Sequence, residues 1–312
     1  MKYHCLSLGP ARMDAFVKLP DNSVAEKCNI DRKRCVIEIG FGEKISVSGV
    51  DFSIGGNAGN NAVGLARLGL NTALIGAMGN GWMDQKAAEI LKSEKVDMKY
   101  VQMNRDQNGF GVVINYQEEP TILSYYPDAL CCFPQDPELV ADWIYLTSMG
   151  QGYQDFYKQA VDWAASHNTK ISFNPGTRQI KDGLNGIGQA LSKTYLLFVN
   201  REEGNDLLGT DLECGPLAQK LAQLGPKIVV VTNGQEGAYC FDGQKDYFAP
   251  IIEALVIERT GAGDAFASGF MGAIIHNKPV EEALIWGSKN SASVLGFVGP
   301  QKGLLTLDKI TI

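Results

Sequence analysis

Histidine is scarce: His4, His167 and His276 are the only three, too scattered to mark a metal site. The seven cysteines, Cys5, Cys28, Cys35, Cys131, Cys132, Cys214 and Cys240, form an odd set with no CxxC pair. That pattern supports neither a zinc ribbon nor a disulfide framework, and the cysteines read as buried or free thiols in a reducing compartment. No run of about 18 apolar residues occurs, so no membrane span is expected. The apolar patch at the amino terminus is broken by Arg12 and Asp14 before it could serve as a signal peptide. The cytoplasm is therefore the expected location. Positive charge is also short, with a formal net charge of −7, which argues against a nucleic-acid partner because such binding needs a concentrated basic surface. No segment matches GxGxxG or GxxxxGK[ST], which removes the dinucleotide fingerprint and the Walker loop. Repeats, low-complexity tracts and Pro/Ser-rich linkers are lacking as well.

What remains is ordinary globular chemistry: 45% apolar and 20% charged residues over 312 positions, enough for a sizeable core. Short apolar runs at Ala73–Ala77, Trp143–Leu146, Lys170–Phe173, Tyr195–Val199 and Lys227–Thr232 predict buried parallel strands. Between them, Asn60–Leu68, Gln85–Leu91, Tyr153–Ala165 and Pro216–Leu224 have helical spacing. This alternation predicts an α/β fold with a doubly wound, mainly parallel sheet. Near residues 15–50 and 108–126 the texture changes: Val36–Ile39, Ser46–Val50, Gly111–Asn115 and Thr121–Tyr125 read as short strands without intervening helices, and residues 117–120 supply a hairpin turn. These segments predict a small β-sheet lid folded onto one domain spanning residues 1–312.

Two glycine-rich segments carry the chemistry. In the first, Glu258-Arg259-Thr260-Gly261-Ala262-Gly263-Asp264 leads into a small-residue helix. Backbone amides at a glycine turn that opens a helix make an anion site. An aspartate there can take a proton from a bound hydroxyl while the amides stabilise a phosphoryl group. An aspartate N-cap after a tight turn is equally compatible with the local chemistry. In the second, Gly55-Gly56-Asn57-Ala58-Gly59-Asn60-Asn61 precedes an amphipathic helix, and its amides and carboxamides can read a polyol or simply cap the helix.

With both segments, Asn200-Arg201-Glu202-Glu203 and Thr232-Asn233-Gly234-Gln235-Glu236-Gly237 in order between them, the chain resembles the ribokinase-like, PfkB-type carbohydrate and nucleoside kinases over nearly its whole length. The resemblance implies that Asp264 is the catalytic base and that Gly261, Ala262 and Gly263 form its anion hole. It places Asn200, Glu203, Thr232, Gly234 and Gly237 around the ATP phosphates, with Glu203 organising Mg²⁺ through water, and Asn290 near the adenine. On the acceptor side it implies Asp14, Gly56, Asn57 and Asn60. The expected activity is phosphoryl transfer from ATP to a hydroxymethyl group of a sugar, sugar acid or nucleoside, and a homodimer through the lid is the expected assembly.

Some positions depart from the family pattern. The Asp-Thr that commonly precedes the glycine turn reads Glu258-Arg259; in the family that aspartate often helps hold a monovalent cation, so whether one activates here stays open. Val-Gly-Asp-Asp reads Met78-Gly79-Asn80-Gly81, and Asp-Pro-Asn reads Asn174-Pro175-Gly176. A kinase of an already phosphorylated sugar is the alternative; it needs two basic side chains at the acceptor, with Arg12, Arg105 and Arg178 as candidates. A lapsed kinase that binds ligand as a regulator is the reading from another class.

Overall fold

The apolar runs become the centre of a nine-stranded sheet in a computed structural model that describes residues 2–20, 24–29, 35–103, 109–117, 119–128 and 132–312. The strands in chain order are β1 (Lys2–Leu8), β2 (Arg12–Lys18), β3 (Ala25–Cys28), β4 (Cys35–Glu38), β5 (Gly49–Gly55), β6 (Thr72–Met78), β7 (Asp97–Met103) and β8 (Phe110–Tyr116). They continue with β9 (Glu119–Tyr125), β10 (Val140–Thr147), β11 (Lys170–Asn174), β12 (Leu196–Asn200), β13 (Ile228–Thr232), β14 (Ala238–Phe241) and β15 (Asp246–Ala249). The helices are α1 (Asn57–Arg67), α2 (Trp82–Ser93), α3 (Tyr153–Ser166), α4 (Thr177–Lys193), α5 (Arg201–Leu208), α6 (Cys214–Ala222), α7 (Ala262–Ile275), α8 (Val280–Leu295) and α9 (Leu307–Ile310).

The large sheet runs β15-β14-β13-β12-β11-β10-β1-β6-β7, and all neighbours from β13 through β7 are parallel. Strands that are apolar on successive residues must be covered on both faces, and they are. On β12, Leu197 and Val199 pack with α3, α4 and α6, whereas Leu196 and Phe198 pack with α7 and α8. Helix α7 is apolar on all sides because it is enclosed, with Ala265 through Ala273 buried. Its small residues let neighbours close in: Gly272 lies against Leu68, the residue that ends α1, and Gly269 against the Trp286 carbonyl of α8.

Chain order reverses around β1, where the sheet grows toward β6 on one side and β10 on the other. In open α/β sheets such a switch point leaves a crevice beyond the carboxyl ends of the strands. A second sheet, β5-β2-β8-β9, stands over that crevice, with the β3–β4 hairpin beyond it. It is the expected lid with shifted borders. The strand expected at Ser46–Val50 starts at Gly49 and runs to Gly55, and β2 starts at Arg12, so both strands reach down into the main domain.

The reading of every cysteine as a thiol is corrected at one place. Strands β3 and β4 set Cys28 directly opposite Cys35, and the two form a disulfide across the hairpin. Cys5, Cys214 and Cys240 are buried thiols, and Cys131 lies outside the described residues. Among the described residues no helix is long and apolar enough to cross a membrane.

Candidate active site

The crevice beyond the strand ends is a cleft of about 430 Å³, walled by the strand termini below and by β2 and β9 of the lid above. Asp264 stands on its floor. Its turn exists because Gly261 takes a left-handed conformation, φ 83°, as N-cap of α7, and a side chain there would run into Pro300. Asp264 is half-buried, and Asn60 Nδ2 donates to its Oδ2 at 2.8 Å, with Asn57 a second carboxamide donor. Burial pushes the Asp264 carboxyl up to about 6 against the lowering effect of Asn60 and Asn57. A carboxylate with that pKa is ionised at neutral pH and basic enough to accept a proton.

Asn60 is itself held: its Oδ1 accepts from Gln301 Nε2 at 3.0 Å. The residue expected to meet the acceptor is thus occupied by the aspartate, and the same helix start leaves Gly56 and Asn57 on the cleft wall. Gly56, φ 89°, passes so close to the Pro10 carbonyl that no side chain fits.

Asp14 projects from β2 beside Arg12, two residues earlier on the same face of the strand. The pair is buried, with side chains 4% and 7% exposed, and Arg12 Nε donates to Asp14 Oδ1 at 2.8 Å. Desolvation raises the Asp14 pKa, while Arg12 and the Gly111 amide pull it down. Glycine at both 55 and 111 leaves room for the carboxylate, since a side chain at either would strike it. Arg12 also reaches the lid edge, donating to Ser124 Oγ at 3.0 Å and the Tyr125 carbonyl at 3.1 Å, with its guanidinium 4.4 Å from the centre of the Tyr126 ring. Removing one member of such a pair leaves an uncompensated buried charge. Asp14→Ala is accordingly expected to lower the unfolding free energy by about 3–5 kcal/mol, read from the denaturant midpoint, whereas replacing both members by apolar residues should recover most of the loss.

On the opposite wall, Asn200 and Glu203 form a capping box at the start of α5: Glu203 N donates to Asn200 Oδ1 at 2.8 Å, and Asn200 N to Glu203 Oε2 at 2.9 Å. Burial raises the Glu203 pKa, and the Asp264 charge adds to it. With Oε2 taken, Glu203 offers Oε1, a single protein oxygen; this suits Mg²⁺, which keeps most of its waters and is held largely by phosphates. Thr232, at the end of β13, also lines the cleft.

Other expected site residues stand elsewhere. Ala262 does not line the cleft, and its amide donates to the Arg259 carbonyl at 3.3 Å, so Gly261 and Gly263 are the turn residues on the cleft wall. Gly234 and Gly237 shape the turn after β13, with φ of 51° and 93°, without lining the cleft. Asn290 requires a correction. It is fully buried between α7 and the carboxyl-terminal segment, its Nδ2 donating to the Ala265 carbonyl and Ser268 Oγ and its Oδ1 accepting from Leu305 N, so nothing of it is left to meet an adenine. Arg178 is exposed on α4 outside the cleft, and Arg105 lies outside the described residues.

Further side chains complete the cleft and its support, and Gln301 among them was not expected. Gln301 anchors Asn60, and Tyr126 faces inward while Tyr125 points to solvent. Asn174 donates to the buried Tyr145 hydroxyl at 3.0 Å, which makes the departure at 174 a cleft feature; Gly79–Gly81 lie outside the lining, with the Gly79 amide on Asp84. Glu258 is buried and takes the Thr260 amide at 2.6 Å and the Gly299 amide at 3.4 Å.

Comparison with known proteins bears on the same arrangement. A fructosamine kinase, FrlD, of Bacillus subtilis is 27% identical over 273 residues, covering 80% of this chain and 86% of the relative. An ATP-dependent 6-phosphofructokinase of Thermoanaerobacterium thermosaccharolyticum is 22% identical over 290 residues, covering 88% and 89%. Among solved structures, ribokinase of Arabidopsis thaliana complexed with ribose and ATP superposes with a TM-score of 0.80 at 22% identity, covering 100% of this chain and 98% of that one. A nucleoside kinase of Methanocaldococcus jannaschii gives 0.78 at 20%, covering 99% and 96%. The family model for pfkB family carbohydrate kinases matches residues 20–307 and so takes in β5, β8 and β9 of the lid, the Asn200–Glu203 wall and the Asp264 turn, though not β2. The chain therefore belongs to the pfkB family of carbohydrate kinases.

Proposed function

We propose that this protein transfers the γ-phosphoryl group of ATP to a hydroxymethyl group of a sugar, sugar acid or nucleoside, with Asp264 as general base. The observation that carries this reading is the Asp264 carboxylate, raised to about 6 and gripped by Asn60 and Asn57 beside the helix-opening glycine turn. The acceptor lies toward Asp14, Gly56 and Asn57, and the nucleotide phosphates toward Asn200, Glu203 and Thr232, beside the turn shaped by Gly234 and Gly237. Asp264 takes the hydroxyl proton as the acceptor oxygen bonds to the γ-phosphorus. The bond from that phosphorus to the β,γ-bridging oxygen breaks, and its electron pair leaves with ADP. The glycine turn and the dipole of α7 stabilise negative charge on the transferring group. Mg²⁺, held by the phosphates and through water by Glu203, would supply charge neutralisation. The lid excludes water, which would otherwise compete for the phosphoryl group.

A coupled ADP-release assay with Mg-ATP against ribose, fructose, 2-keto-3-deoxygluconate, adenosine and fructose 6-phosphate tests the reading; ATP binding with no turnover on any acceptor would favour a regulatory ligand-binding protein instead. The pH profile is a second check. Because the base must be ionised, kcat/KM is expected to fall tenfold per pH unit below about pH 6, well above the usual aspartate range. Asn60→Ala removes the donor that most lowers that pKa, so its acid limb should move to higher pH. An acid limb near pH 4 in both proteins would contradict the assignment.

A further inference from the structure

Resting on the kinase reading above, we infer that the acceptor carries an anionic group, a carboxylate or a phosphate ester, read by Arg12 and Arg259 on the walls of the cleft. Two arginines line this one cleft. Of the three candidates named from the sequence only Arg12 lies here: Arg178 is exposed outside the cleft, Arg105 lies outside the described residues, and Arg259 was not among them. Arg12 is 4% exposed, and among the described residues Asp14, Ser124 and Tyr125 take three of its five N–H groups, leaving one on each terminal nitrogen. Clipping the lid edge to β2 does not by itself call for a cation at the cleft wall, where desolvating a guanidinium is unfavourable unless its donors are met. A carboxylate or phosphate meets such a planar fork in a way that a neutral hydroxyl does not.

Arg259 supplies the second cation beside the glycine turn. Its Nε is buried without a hydrogen bond; the Glu119 Oε1 of the lid stands 3.2 Å away on a side chain 71% exposed. An ion pair to so exposed a partner is weak, so a ligand anion can replace Glu119 at little cost. The carboxylates of the cleft do not cancel this pattern: Asp14 is matched by Arg12, and Asp264 and Glu203 stand at the phosphoryl-transfer side. An acceptor with its hydroxymethyl at Asp264, hydroxyls at Asp14 and an anionic group toward Arg12 and Arg259 sets its negative charge against Arg259, whose present partner is exposed, and gives the two remaining N–H groups of Arg12 an acceptor.

The test compares fructose with fructose 6-phosphate and 2-keto-3-deoxygluconate, by kcat/KM and by calorimetric binding without nucleotide, in the wild type, Arg12→Lys, Arg12→Gln and Arg259→Gln. An anionic acceptor should exceed fructose by roughly 10–100-fold in the wild type, the effect of one or two charge-assisted hydrogen bonds, and the phosphate and carboxylate arms identify which anion. That ratio should collapse in Arg259→Gln and Arg12→Gln and recover only partly in Arg12→Lys, which keeps the charge but not the fork. Arg259→Gln alters a partly exposed side chain, so it decides the matter even if Arg12→Gln does not fold. A wild type that prefers fructose overturns the inference and leaves the kinase reading intact. Equal losses on neutral and anionic acceptors also overturn it, assigning Arg12 to lid structure and Arg259 to the nucleotide. Binding of an anionic sugar, lost in the variants but without turnover in any protein, sustains the clamp and removes the kinase reading.

Discussion

Asp264→Asn is expected to lower kcat by at least about 10²–10⁴-fold with whichever acceptor the wild type uses, the range that a positioned general base contributes. The substitution keeps the shape of the side chain and one oxygen able to accept from Asn60, so the turn and the cleft should survive. The proton acceptor does not survive, because a carboxamide has no basicity near neutral pH. Single-turnover measurement with saturating ATP separates loss of chemistry from loss of binding: KM should move little while the chemical step slows. Asn60 and Gln301 make the assignment more demanding, since they hold the carboxylate in one orientation through a chain of two hydrogen bonds, 2.8 and 3.0 Å long. A variant that retained wild-type turnover would show that Asp264 is not the base and only occupies the first turn of α7, whose N-cap is Gly261.

The parts of this protein that were legible in its sequence are those governed by local periodicity or by a turn's own chemistry. The strand at Leu196–Asn200 could be seen because both of its faces are buried, which makes every residue but the last apolar. The helix opening at Gly261 could be seen because left-handed backbone is a property of glycine itself. Residues whose roles depend on partners far along the chain were not legible. Arg12 meets Ser124 and Tyr125 across more than a hundred residues, and Asn60 meets Asp264 across 204. No spacing rule says that Asn60 serves the base rather than the acceptor, or that Arg259 faces a lid glutamate. Asn290 failed for a related reason: an asparagine late in a helix reads as polar and available, and only packing shows that both ends of its amide are satisfied inside the core. The Cys28–Cys35 link was missed because cysteine counting weighs the whole set, whereas a hairpin needs only two residues facing each other across one rung.

Gly261→Ala and Gly263→Ala should separate the two things a glycine turn does. At Gly261 the backbone is left-handed, φ 83°, which disfavours alanine by about 1–2 kcal/mol, and the added methyl would collide with Pro300. Pro300 precedes the glutamine that anchors Asn60, so relief of the clash displaces the Asp264 turn and its anchor together. Both stability and turnover are expected to fall, turnover by about 10²–10³-fold, comparable to removing one donor from an oxyanion site. At Gly263 the surroundings are open and the backbone is already helical, so alanine should leave stability unchanged or raise it by a few tenths of a kcal/mol. Any loss of turnover in Gly263→Ala must then come from a methyl group standing where a phosphoryl oxygen approaches the turn, and it should appear as a raised KM for ATP rather than a lowered midpoint of unfolding. If both variants instead lost stability in parallel with turnover, the glycines would be serving the fold alone, and the anion site would have to be sought elsewhere along the cleft.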